Sequence, residues 1–297
     1  MNITNINKLV NEALAIDNES VLEANAIGFM ARMLVQATIP HKKQQENVFV
    51  RKNGYFSLAI TAHPQVGLPY GVYPRLILAW MVTEAIKTKS PNIVLGKSLN
   101  DFMLQLNVMP TGGRWGTITM LKEQLRRLLT SSISCIYHNE KQEAGLNFNV
   151  AKEYKLWWDN KNPKQSTLWQ STITLSTDFF NEIVNCPIPI DMRVLKAIKQ
   201  SSMAIDLYCW LTYRMSYLKT KTTIPWHLLQ EQFGSDYAAT KQGRYKFKRK
   251  LILQLQKITT IYQEVNVLED SKGLTLLPSK PHVKKSSKIK DKQWQES

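Results

Sequence analysis

Apolar positions along the chain change period several times, and the changes predict its elements. Leu9, Ala13 and Ile16, then Ala26, Met30, Met33 and Leu34, recur at helical spacing, so residues 4–37 are expected to be helical. Val48 and Val50, an Asn53-Gly54 pair, and then Phe56, Leu58 and Ile60 switch to a period of two and predict a hairpin. A wide apolar face (Leu76, Ile77, Trp80, Met81) predicts a core helix from Tyr73 to Lys87. A short strand, Ile93–Leu95, precedes a helix that Ser98 and Asp101 open as a capping pair. Pro110-Thr111-Gly112-Gly113 reads as a turn, followed by a helix from Arg114 to Thr130. Ser132–His138, Asn147–Trp157 and Leu168–Leu175 alternate as strands, with residues 159–167 as a loop.

That order then repeats. Gly113-Arg114-Trp115 with Leu121, Leu125 and Leu128 returns 130 residues later as Gly243-Arg244-Tyr245 with Leu251, Leu255 and Ile258. The same offset relates Trp80 to Trp210 and Val94 to Ile224. In the second copy the long helix carries Ala204, Leu207, Leu211, Met215 and Leu218, the short strand is Thr222–Ile224, and Pro225 opens the next helix. Lys241–Ile258 form the third helix, and Tyr262–Val267 and Leu274–Leu277 pair around residues 269–273. Phe179–Ile183 between the copies is expected to be helical, and residues 186–189 punctuate the boundary. Helix, strand, helix, turn, helix, hairpin is the order of a winged helix-turn-helix. The expected fold is therefore α+β and mainly helical: two tandem winged helix-turn-helix domains with an N-terminal helical and hairpin extension. The expected divisions are residues 1–62 for the extension, 63–185 and 186–282 for the two domains, and 283–297 for a basic disordered tail.

Charge changes what those helices are for. Lys and Arg exceed Asp and Glu by 39 − 23 = 16, a balance that attracts polyanions, of which nucleic acid is the commonest. The first residues lack a basic-then-apolar signal, and the longest apolar run, Leu76–Val82, is too short to span a bilayer, so no membrane partner is expected. Cys135, Cys186 and Cys209 are odd in number and widely spaced, which fits free thiols in a reducing cytoplasm.

From Lys241 to Lys257 there are seven Lys or Arg and no acid. On a helical wheel Phe247, Leu251, Leu255 and Ile258 fall within about 80° of one another. Lys246, Arg249, Lys250 and Lys257 fall on a separate arc, suited to DNA phosphates, and Arg244 at the helix start is the candidate for reading guanine. In the first copy Thr119, Lys122 and Arg126 form the exposed stripe, with Arg114 at its start, suited to mixed base and phosphate contacts. Any single Lys or Arg here reads first as a solvated surface charge; it is the run without an acid that points to DNA. The tail lysines Lys284, Lys285, Lys288, Lys290 and Lys292 add diffuse attraction.

Catalytic patterns are missing. A phosphate loop ending in Gly96-Lys97 would need glycine where Pro91 stands, and no His-x-His pair exists among the five histidines. No His/Cys cluster suggests zinc and no Gly-x-Ser-x-Gly is present. No catalytic residue, metal or cofactor is expected, and the protein is not expected to be an enzyme. A nicking or recombining enzyme with scattered carboxylates or a tyrosine nucleophile remains a rival.

At Gly67-Leu68-Pro69-Tyr70-Gly71, with Pro74-Arg75-Leu76 and Ala79-Trp80, the chain resembles the plasmid-encoded RepA replication-initiator family. The resemblance continues through Thr83-Glu84-Ala85, Leu95-Gly96, Ser98-Leu99 and Phe102, and is strongest at Gly112-Gly113-Arg114-Trp115-Gly116, with Ile118, Leu121, Gln124, Arg126 and Arg127 behind it. It covers residues 67–281. It implies a bacterial plasmid protein that binds double-stranded DNA at repeated origin sites, recruits the host replication initiator and helicase, and also acts at its own promoter. Residues 1–62 lie outside it; their helical part reads as a packing element or as the contact of a homodimer. A repressor with no replication role needs the same DNA-binding surface and is the other rival.

Overall fold

The computed structural model describes residues 3–158 and 170–284, which leaves the expected 159–167 loop and the tail lysines from Lys285 on outside the described residues. Ten helices and twelve strands are present among the described residues. In chain order they are α1 (Ile3–Asp17), β1 (Ile27–Ala31), α2 (Arg32–Gln36), β2 (Val48–Asn53), β3 (Phe56–Thr61), α3 (Val72–Thr88), β4 (Asn92–Val94), α4 (Leu99–Gln105), α5 (Thr117–Leu129), β5 (Ser132–His138) and β6 (Glu143–Asn149). There follow β7 (Ala151–Lys155), β8 (Thr172–Leu175), α6 (Thr177–Asn185), β9 (Pro187–Asp191), α7 (Met192–Ile198), α8 (Ser202–Met215), β10 (Thr222–Pro225), α9 (Trp226–Phe233), α10 (Lys241–Ile261), β11 (Asn266–Glu269) and β12 (Gly273–Leu277). The class is α+β. No helix among the described residues is long and apolar enough to cross a membrane.

The chain divides into two compact units, one of residues 39–50 and 55–184, the other of 1–38, 51–54 and 185–297. The 1–62 extension is thus shared out between them. In the central unit β4 pairs with β8 and β8 with β7, giving a sheet ordered β4-β8-β7, beside α3, α4 and α5. A second sheet, β2-β3-β5-β6, absorbs the strand expected at Ser132–His138. The expected Asn147–Trp157 strand is split between β6 and β7, one on each sheet. In the other unit the strand order is β10-β12-β11, beside α8, α9 and α10. Each three-stranded sheet therefore seats its last strand between the first and the second.

Local chemistry explains most boundaries. The Ser98 hydroxyl accepts from Asp101 N at 3.1 Å and starts α4. Thr240 does the same for Gly243 N at 3.1 Å and starts α10. The helix expected over 4–37 is instead α1, β1 and α2, because Ile27–Ala31 pairs antiparallel with Pro187–Asp191. Two prolines in β9 read as punctuation in sequence, yet in a two-stranded ladder each strand is an edge, and alternate residues can lack an N–H on the open side. Pro225 ends β10 and caps α9 rather than occupying its first turn. The last hairpin begins at Asn266, four residues later than expected, because α10 runs on to Ile261 and the Tyr262 hydroxyl is taken by the Lys280 carbonyl.

The cores of the two units repeat one arrangement. Trp80 meets Phe102 edge-on with centroids 5.0 Å apart at 76°, and Trp210 meets Phe233 at 5.3 Å and 76°. Leu121, Leu125 and Leu128 are buried in one unit and Leu251, Leu255 and Ile258 in the other. The 130-residue offset thus relates core positions, and it holds for the starts of α3 and α8 and of β4 and β10. It fails after the third helix, where β5 and β6 lengthen the central unit.

The central unit is clamped by buried guanidiniums. Arg75 donates to Gly71 O at 2.6 Å, Ile39 O at 2.7 Å and Pro40 O at 3.2 Å. Arg127 donates to Leu68 O at 3.1 Å and pairs with Glu123 at 2.6 Å, while Gln124 accepts from Tyr70 N at 2.8 Å. Gly67 has φ +82°, and a Cβ there would meet Arg127 Nη1 at 2.5 Å, so only glycine lets the guanidinium come this close. We expect Arg75→Met to cost about 3 kcal/mol in urea unfolding, because three carbonyls lose a charged donor, and Arg75→Lys to recover little of it.

In the other unit Tyr208 is buried, its hydroxyl accepting from Asp191 N at 3.0 Å and lying 2.9 Å from His282 Nδ1. The hydroxyl thus joins the Asp191 backbone amide to the His282 ring. Burial pushes the His282 pKa below its usual 6.5, against the opposing pull of Asp191 and Glu264 and with a smaller push from Arg193. A depressed folded pKa gives stability that is complete above 6.5 and is lost as pH falls through the folded value. Melting temperature should therefore drop as pH falls below about 6.5, and His282→Gln should flatten that part of the profile.

Candidate nucleic-acid interface

The third helix of each unit turns an apolar stripe inward and leaves a polar face to solvent. On α5, at about 100° per residue, Thr119 and Arg126 lie opposite Leu121, Leu125 and Leu128, and Lys122 lies to one side. Arg114, Thr119 and Arg126 are exposed. Lys122 is half-buried, its Nζ 6.0 Å from the centre of the Trp158 ring, and burial lowers its pKa. The one acid on this face, Glu123, is held by Arg127. Arg127 is adjacent in sequence to Arg126 but about 100° round the helix, and so it belongs to the clamp rather than the surface.

Arg114 lies before α5, not in it. Its guanidinium sits 5.2 Å from the centre of the Trp115 ring. The turn beneath is held by hydroxyls: Thr117 N donates to Thr111 Oγ1 at 2.9 Å, Thr117 Oγ1 to Met109 O at 2.7 Å, and Thr119 Oγ1 to Gly113 O at 2.9 Å. Thr119 thus has a structural partner as well as an exposed position.

On α10, Arg244, Lys246, Arg249 and Lys250 are exposed, and Lys257 is half-buried. Burial, then the charge of Lys250, lowers the Lys257 pKa. Lys246, Arg249 and Lys250 fall within about 100° of one another, with Arg249 opposite Phe247 and Lys250 at the edge of the apolar stripe. Arg244, two residues back, falls about 160° from Lys246, so the structure does not bring these two onto one stripe. Lys248 is drawn off to the hairpin tip: its Nζ donates to Asp270 O at 2.9 Å, lies 3.5 Å from Glu269 and sits 4.4 Å over the Trp226 ring. Charge counting could not separate Lys248 from its neighbours; the strand register that brings Asp270 to it does.

Two aromatic residues on these faces, Trp115 and Tyr245, are not among the contacts that the sequence predicts. Both are exposed, and they are related by the same offset that made Arg114 and Arg244 candidates. No group of three or more His, Cys, Asp or Glu among the described residues could hold a metal ion. The exposed groups on and just before the two third helices are cations, hydroxyls and aromatic rings.

The family model of plasmid-encoded RepA protein matches residues 68–227, more than half of the chain. The chain belongs to the plasmid-encoded RepA family. The match spans the guanidinium clamp and α5 and stops at His227 in α9, short of α10. No curated protein matches the chain. Among solved structures, a crystal structure of selenomethionine derivatives of domains 2 and 3 of RctB is similar, with a TM-score of 0.51 and 11% identity over 83% of this chain and 96% of that one. At that identity the likeness is one of fold.

Gly113 has φ +89° and no atom close to where a Cβ would stand, so backbone conformation alone constrains it. Gly113→Ala should lower unfolding stability by about 1–2 kcal/mol, whereas Gly112→Ala, at ordinary φ and in open space, should leave it unchanged.

Proposed function

We propose that the protein is a plasmid replication initiator that binds repeated sequences at its plasmid's origin through two winged helix-turn-helix domains, within residues 63–185 and 186–282. The observation that carries this is the repeated order of the two units. Each has a helix, a short strand, two further helices and a closing strand pair, with the last strand seated between the other two. In each, the third helix keeps its polar face in solvent. Such a helix docks in the major groove with its back on the core, and the strand pair lies against the flanking backbone. Family membership supports the replication role, and it supports recruitment of the host initiator and helicase to the origin.

The two grips are unequal. The exposed arc of α10 carries Lys246, Arg249 and Lys250 with no acid and suits phosphates, whereas α5 offers a threonine, an arginine and a half-buried lysine. Two weak heads on one site multiply affinity through effective concentration. The same surface occupying the gene's own promoter accounts for autoregulation. Origin recognition and opening require binding and DNA deformation rather than bond chemistry, so the reading is of a protein that is not an enzyme.

The test is loss of the protein from a plasmid carrying its cognate origin. Replication should cease; normal maintenance would leave a repressor instead. Supercoiled origin DNA incubated with the protein and magnesium should stay uncut. Replacing Lys246, Arg249 and Lys250 by Ala should weaken binding and flatten its salt dependence, by roughly one unit of slope for each phosphate no longer neutralised. An unchanged slope would mean that another face meets the DNA.

A further inference from the structure

Trp115 is 82% exposed, more than any other large apolar side chain among the described residues, and Tyr245 is 64% exposed. The offset that relates them also relates Trp80 and Trp210, which are 5% and 3% exposed, so the repeat uses one aromatic pair for its cores and leaves the other in water. Leaving an indole in solvent forgoes the stabilisation of burying it. Nothing in either core requires these rings at the surface.

Their placement is built. Trp115 rides on the turn that the Thr111, Thr117 and Thr119 hydroxyls hold, and the Arg114 guanidinium carbon lies 5.2 Å from its ring centre. Tyr245 sits one turn before Arg249, about 40° from it around the helix, on the arc opposite the buried Phe247 and Leu251. Each ring thus stands at or just before the N-terminal end of a third helix, beside a guanidinium. In helix-turn-helix docking that end reaches the base edges. The apolar feature those edges present in the major groove is the thymine 5-methyl.

We propose that Trp115 and Tyr245 are specificity-determining residues, each packing against the 5-methyl group of a thymine in the major groove of the bound duplex. This rests on the reading of α5 and α10 as the DNA-contacting helices. It assigns sequence choice to two apolar contacts and leaves the lysines to hold the backbone. Replacing either ring should therefore cost selectivity while leaving the electrostatic part of binding in place.

The experiment uses the full-length protein and duplexes of the repeat protected in a footprint of its own plasmid. Uracil, which lacks only the methyl group, replaces each thymine in turn, and affinity is read by fluorescence anisotropy at fixed salt. For the wild type, uracil should weaken binding about fourfold at a thymine under each helix, the worth of one methyl-sized group removed from water. Trp115→Ala should be indifferent to uracil at one of these positions and Tyr245→Ala at the other, with the salt slope of both unchanged. Trp115→Phe, which keeps a ring, should retain the sensitivity. A wild type indifferent to uracil everywhere, or alanine variants that keep its full sensitivity, would overturn the assignment while leaving origin binding intact. A single strand of the same repeat bound more tightly than the duplex, with that preference lost in Trp115→Ala, would also overturn it, in favour of stacking on unpaired bases. Absence of any protected repeat would instead remove the DNA-binding reading on which it rests.

Discussion

The surface of α5 depends on a loop it does not contain. Residues 67–71 have backbone groups facing the protein interior, and three side chains satisfy them: Arg127 reaches Leu68 O, Gln124 receives Tyr70 N, and Arg75 reaches Gly71 O. Two of the three project from α5 and one from α3. A buried carbonyl or amide without a partner costs about 1–3 kcal/mol, so the loop fixes the rotation of α5 about its axis. With that rotation set, Thr119 and Arg126 have only the solvent side left. This gives a physical role to residues that carry the family resemblance. Gly67, Arg75, Gln124 and Arg127 are architecture, and Arg114 and Trp115 are the part of the motif that faces outward.

The second copy keeps the core of that plan without its clamp. Gln254, at the offset from Gln124, is equally buried, but its amide finds no hydrogen-bond partner among the described residues. The apolar stripe and the edge-on Trp–Phe pair are retained. Packing constrains shape and volume and so survives repetition. A polar clamp needs a particular loop opposite it, and the residues offset from 67–71 do not supply one to Gln254. The third helices can therefore share a core geometry while their solvent faces differ in charge.

What the sequence revealed follows the range of the forces involved. Long amphipathic helices, the Asn53-Gly54 hairpin and the Ser98 cap are determined by neighbours within a few residues, and all were legible. The strand Ile27–Ala31 was not, because Met30 fits a helical period with Met33 and Leu34 and its partner strand lies far along the chain behind two prolines. The same limit applied to the candidate site. Helical spacing put Arg126 on the exposed stripe, but the carbonyl that takes Arg127, Leu68 O, lies 59 residues away along the chain. Lys248 reads as one more cation in a basic run until the hairpin register brings Asp270 beside it. Trp115 and Tyr245 were visible in the repeat, but whether an aromatic residue is core or surface is a tertiary property.

The basic run of α10 divides into charges with different work. Lys248 ties the helix to the hairpin tip through a carbonyl, a carboxylate and an indole face, so its charge is largely compensated. Lys257 is half-buried beside Lys250, where burial and like charge both disfavour its ammonium form. Bringing a phosphate to that end of the helix would relieve both effects, because an anion offsets the repulsion and stabilises the charged lysine. Lys246 and Arg249 are exposed, so salt screens any attraction they exert at a distance. The two ends of the arc therefore differ, with Lys257 partly desolvated and Lys246 and Arg249 exposed to water.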